Sequence, residues 1–168
     1  MSFFSFSISQ NDISPAITRM IAMARDPTPI MRAMGTTFKS ITEGTFNSVG
    51  ASYRPTPWKS KRDGSPSILI MHGVLSKAFH LSIGSHTAEL SNPTKYAAIH
   101  QFGGVIHGKP WLRFKIGDSW FTRASVTIPA RPFYPIKDDH LTAAAQDKII
   151  AAGERAGMRE LGHEAGKV

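Results

Sequence analysis

Histidines are the residues of this chain best suited to chemistry: His72, His80, His86, His100, His107, His140 and His163. An imidazole can ligate a metal or move a proton near neutral pH, so spacing decides whether a site is legible. None of them pairs as H-E-x-x-H, and no carboxylate stands beside them at the spacing of a facial triad. His100 and His107 flank Gln-Phe-Gly-Gly-Val-Ile and could meet across a turn, but metal sites need three or four ligands. The carboxylates Asp63, Glu89 and Asp118 lie in separate segments, so no acid–base pair is visible. No serine occupies a nucleophile elbow. Gly103-Gly104 and Gly108-Lys109-Pro110 are turn glycines, not phosphate-cradling loops. The absence of cysteine removes thiolate chemistry and disulfides, and it suits a reducing cytoplasm. The expectation is a protein that is not an enzyme and has no catalytic, cofactor-binding or metal-binding residues.

Charge offers a second kind of chemistry. The formal net charge is +8 over 168 residues, which favours association with nucleic acid or acidic protein surfaces. Residues 54–67 have the composition of an exposed loop, and there Lys59, Lys61 and Arg62 follow Trp58. Such a loop can contact phosphates and stack its tryptophan on a base. It can equally be a solvated loop whose tryptophan folds back on the domain, which is the commoner outcome. No apolar run approaches the roughly 20 residues of a membrane span, and the apolar start lacks the features of a signal peptide. Neither a membrane partner nor a membrane location is expected.

The elements that must position these residues follow from periodicity. Phe4, Phe6 and Ile8 alternate with serines as in a half-buried strand. Ser14-Pro15 opens a first short helix, with Ile17, Met20, Ile21 and Ala24 at helical spacing. Thr28 before Pro29 offers a second cap, and Ile30, Met34, Phe38 and Ile41 trace one helix face that can run on through Phe46 and Val49. Residues 78–83 and 87–90 read as a hairpin around Gly84-Ser85-His86. Residues 96–102 form a short helix stopped by Gly103-Gly104. Trp111, Arg113 and Lys115 alternate with Leu112, Phe114 and Ile116, Gly117-Asp118 is a turn, and residues 120–128 return. Asp138 or Asp139 can cap a last helix carrying Leu141, Ala145, Ile149 and Ala152. Beyond Gly153 the glycine-rich, charged tail is expected to fray. These elements make one α+β domain over residues 1–155, with N-terminal helices, an antiparallel sheet built from hairpins and a C-terminal helix, then a flexible tail over 156–168.

Two segments stand out together. One is Tyr96-Ala97-Ala98-Ile99-His100-Gln101-Phe102-Gly103-Gly104; the other is Ile128-Pro129-Ala130-Arg131-Pro132-Phe133. With them the chain resembles the phage virion morphogenesis family, whose members are called tail-completion proteins. Its pattern is Y-A-x-I-H-Q-x-G, then I-P-A-R-P-F and a final helix. Residues 70–76 resemble the family's L-x-T-G-x-L-x-x-S stretch, with His72 where threonine is usual. The tryptophan loop departs, being shorter and lacking a W-x-P-L continuation after Trp58. The resemblance covers roughly residues 4–155.

Physically, these motifs favour structure over catalysis. Tyr96, Ile99 and Phe102 are expected to dock the short helix on the sheet, leaving His100 and Gln101 to hydrogen-bond elsewhere. Pro129 and Pro132 stiffen an extended segment, which lowers the entropy lost if it docks on a neighbouring subunit. Arg131 and Phe133 are then candidate anchors at such an interface, although both can be satisfied within the chain. Candidate partner-facing residues are thus Tyr96, His100, Gln101, Phe102, Arg131 and Phe133. The resemblance implies a virion protein, made in the host cytoplasm, that completes the tail and joins it to the head. It further implies other tail and neck proteins as partners and a six-subunit ring through which DNA passes, with Lys59, Lys61 and Arg62 as candidates for contact with that DNA. The alternative is a standalone basic nucleic-acid-binding protein.

Overall fold

A computed structural model describes residues 18, 20–48, 50–60, 69–70 and 73–162. The expected strand at Phe4–Ile8, the Ser14-Pro15 cap, Val49, Lys61, Arg62, His72 and His163 lie outside the described residues. Helix α1 spans Thr28–Gly44. Its start differs from expectation: Thr28 is already helical, Pro27 occupies the N-cap, and the Asp26 carboxylate accepts the Thr28 N–H at 3.1 Å. The helix ends at Gly44 rather than continuing, and Thr45 and Phe46 turn inward to full burial.

Two faces of α1 are covered. On one, Gly35 lets the hairpin of β1 (His80–Ile83) and β2 (Ala88–Ser91) approach closely: a Cβ there would stand 2.9 Å from Ala88 Cβ and from Ile83 Cδ1. On the other lies helix α4, Ala143–Gly162. Ile41, Ala145 and Ile149 form a buried cluster there, flanked by Met34, Phe38, Tyr53 and Leu141. The tail expected from residue 156 is instead helical as far as Gly162. Its glycines are packing sites: a Cβ on Gly153 would meet Met34 Sδ at 2.9 Å, and one on Gly157 would meet Met23 Cε at 3.3 Å. Glycine lowers helix propensity by about 1 kcal/mol, but here it permits close approach of two helices.

A second core gathers Phe46, Trp58, Leu75, Phe79, Ala97 and Phe133. Helix α2 (Val74–Lys77) is a single turn that buries Leu75, and α3 (Ala97–Phe102) buries Ala97. The expected placement of α3 is corrected: Tyr96 and Phe102 are exposed. Side-chain bonds from Gln101 set the rotation of this short helix, so its small face turns inward.

Strand β3 (Gly104–Ile116) begins well before Trp111 and pairs antiparallel with β4 (Ser119–Ile128). The tiny strands β5 (Ile136–Lys137) and β6 (His140–Leu141) close a third hairpin. Asp138 and Asp139 form its turn, at φ 50° and 63°, and so do not cap α4. Positive φ at both central residues suits a two-residue hairpin, and aspartate tolerates it. The molecule is thus α+β, and among the described residues its hairpins form three separate two-stranded sheets.

Candidate subunit interface

The two motif segments meet in space. Three prolines between residues 129 and 135 remove backbone donors, so this stretch cannot satisfy itself as a central strand. Helix α3 supplies partners instead. The His100 carbonyl accepts the Arg131 N–H at 2.7 Å. Gln101 Oε1 accepts the N–H groups of Phe133 at 2.9 Å and Tyr134 at 3.1 Å. Gly103, at φ 70°, passes so close to Ala130 that a Cβ would stand 2.8 Å from its nitrogen. From the far side the Trp58 indole N–H donates to the Pro132 carbonyl at 2.8 Å, and the Thr45 hydroxyl donates to the Phe133 carbonyl at 2.8 Å.

Phe133 is fully buried, at 0% exposure, with ring centroids 5.3 Å from Phe46 and 5.8 Å from Phe79. Gln101 and Phe133 are therefore engaged inside the chain, whereas Tyr96 and Phe102 (79% exposed) stand at the surface. His100 and Arg131 lie between these extremes. Nδ1 of His100 and Nε of Arg131 are buried without a hydrogen-bond partner among the described residues. Burial first, and the Arg131 charge second, hold the His100 imidazole below its ordinary pKa. Its ring meets Tyr96 edge-on, with centroids 6.0 Å apart.

Trp58 is not a base-stacking residue. It is buried against Phe46, and the Arg54 guanidinium lies 3.8 Å from its ring centroid. Arg54 is itself held by the carbonyls of Thr45 and Asn47. Lys59 is exposed, but it stands on a segment fastened by this tryptophan. Among the described residues no three His, Asp or Glu side chains come together as a metal site would require, and no helix is long and apolar enough to cross a membrane.

Two surfaces went unrecognised in the sequence. One is a groove of about 500 Å³ beside α3, lined by Ala98, Gln101, Phe102, Tyr134 and Ile136, with Asp138 and Asp139 at its edge. The other is the β3–β4 ribbon. Its register shifts between His107 and Leu112, so residues 108–111 oppose only Ala124. Beyond this bulge Phe114 stacks on Phe121, and Arg113 covers Trp120 at 4.8 Å on the opposite face. Trp111 and Trp120 are 63% and 62% exposed. A usable signal was present: residues 111–116 place aromatic and apolar side chains on both faces of the strand, where a solvated ribbon carries polar ones.

What the geometry presents is surface, held on an α+β body by the joined motifs. A family model for phage virion morphogenesis proteins matches residues 8–152, and the chain belongs to the phage virion morphogenesis family. It is a protein of phage particle assembly. No curated protein and no solved structure matches it.

Proposed function

We propose that this chain is a non-catalytic structural subunit that completes the phage tail and joins it to the head, as a ring of copies around the DNA path. The family match over residues 8–152 carries this reading. The joined motifs support it: Gln101 spends its side-chain oxygen on the backbone of Phe133 and Tyr134, which shapes the chain. Lys59, Lys61 and Arg62 are proposed to flank the passage, drawn to phosphate by charge alone.

Electron microscopy of lysates from the parent phage with this gene disrupted tests the reading. Full heads beside detached tails are expected, and tails of abnormal length would move the role to tail termination. Normal joined particles would overturn it.

One observation favours a second reading, a standalone nucleic-acid-binding protein. Arg32, Arg155 and Arg159 share a groove of about 450 Å³ between α1 and α4, with Glu160 opposing them. Binding to random duplex that weakens steeply with salt, in the absence of any phage particle, would support this alternative.

A further inference from the structure

Among the described residues, the β3–β4 ribbon is a surface on which no other element packs extensively. Its strands run through Gly104–Ile116 and Ser119–Ile128. Beyond the bulge, its ring contacts and ion pair among the described residues lie within the ribbon: Phe114 on Phe121, Arg113 on Trp120, and Lys115 with Asp118 at 3.3 Å. Yet Trp111, Ile116 and Trp120 are each more than three-fifths exposed. A free two-stranded ribbon is marginal in water, and large aromatics left in solvent at its end mark a contact surface.

The same chain carries a complementary surface. The groove beside α3 measures about 500 Å³, within the roughly 300–1,000 Å³ of pockets that enclose small ligands. Phe102, Ala98, Tyr134 and Ile136 give it an apolar wall, and Asp138 and Asp139 add negative charge to its edge. Neither aspartate forms an ion pair among the described residues. The ribbon carries Lys109, Arg113, Lys115 and Arg123 against the single acidic Asp118. Basic aromatic ribbon and acidic apolar groove therefore match in both charge and polarity.

A chain cannot satisfy its own groove. The ribbon leaves the body at Gly104, immediately beyond α3, and at about 3.3 Å per residue its tip can stand up to roughly 40 Å away. We infer that the ribbon tip of one copy docks in the groove beside α3 of the next copy. Because the two surfaces differ, the contact is heterologous, and its repetition closes into a ring or continues as a filament. This deepens the ring proposed above and rests on that reading. It gives Phe102 a location at the receiving surface, and it assigns the inserting side to Trp111, Arg113, Lys115 and Trp120.

The natural chain has no cysteine, so introduced thiols report this contact alone. Full-length Ser119→Cys and Ala98→Cys chains, differently tagged, would be mixed and treated with a short bis-maleimide, in solution and after assembly into phage particles. A mixed dimer is expected, and the doubly substituted chain should give a ladder ending at the ring size. Arg113→Glu with Lys115→Glu should cut the yield about tenfold or more, since like charges then face each other. Adding Asp138→Asn and Asp139→Gly, a pair that keeps this turn type, should restore most of it. Links only between two Ser119→Cys chains, or cysteines shielded by added duplex DNA without any link, would overturn the docking.

Mass spectrometry of purified particles separates the two levels. If the chain is present in particles but no mixed link forms, the docking fails and the assembly reading stands. If the chain is absent from normal joined particles, the assembly reading fails. The docking is then decided by the solution cross-link, whose absence overturns it.

Discussion

Gln101 joins two segments that lie 32 residues apart, through one side-chain oxygen that accepts two backbone N–H groups. Gln101→Leu keeps the volume but strands both donors, each at about 1–3 kcal/mol. Urea denaturation should therefore show a loss of about 2–6 kcal/mol with an unchanged m-value. Phe133→Ala, at a fully buried ring, should cost about 3–5 kcal/mol. His100 adds a pH dependence. Its folded pKa is lowered by burial and then by Arg131, so below about 6.5 the unfolded chain binds the proton more readily. Stability from this group is complete above that value and is lost as pH falls toward the lowered folded pKa. Thermal melts of His100→Asn should lack this component of the acid-side decline. What was legible at this scale is that the His-Gln and Pro-Arg-Pro-Phe segments stand out together, and the fold brings them into contact. An interior place for Phe133 was one of the two readings its sequence allowed, but that Gln101 serves the interior was not legible, since pairing across the intervening hairpin depends on tertiary approach.

At the scale of elements, the close approach of α1 to the β1–β2 hairpin depends on Gly35. Gly35→Leu would drive a side chain into Ala88, Ile83 and Leu81, so a loss of about 1–3 kcal/mol is expected by chemical denaturation. Gly153→Leu should do the same between α4 and Met34. Periodicity found α1, both longer hairpins and the last helix. It misplaced the end of α4, because glycine was weighed by propensity alone; at Gly153 and Gly157 the neighbouring helix decides. The ribbon behaves oppositely. Replacing residues 112–123 by a short Gly-containing turn should leave the melting temperature nearly unchanged, since this tip adds nothing to either core. The same deletion should abolish association between copies, read by sedimentation velocity or by the cross-link.

For the whole molecule, the net charge of +8 is spread over distinct regions. Lys59 follows the anchored tryptophan, the ribbon is basic, and Arg32, Arg155 and Arg159 share the α1–α4 groove. In the proposed ring these serve different contacts. Reversing Lys59, Lys61 and Arg62 together is expected to lower infectivity while the isolated chain keeps its melting temperature. Unchanged infectivity would remove these residues from the DNA path. Association through ribbon and groove should weaken only modestly with salt, because burial of Trp120 and Phe102 carries much of it.

The sequence by itself determined the α+β class, the main helices and hairpins, and the two motifs that place the chain in its family. These are local patterns, written in side-chain periodicity and in turn residues over a few adjacent positions. Only the tertiary structure decided that Trp58 turns inward, that Asp138 and Asp139 form a turn at a groove, and that no other described element packs extensively on the β3–β4 ribbon. Each of those depends on which distant surface a residue meets, and periodicity reports that a side chain is apolar without saying what covers it.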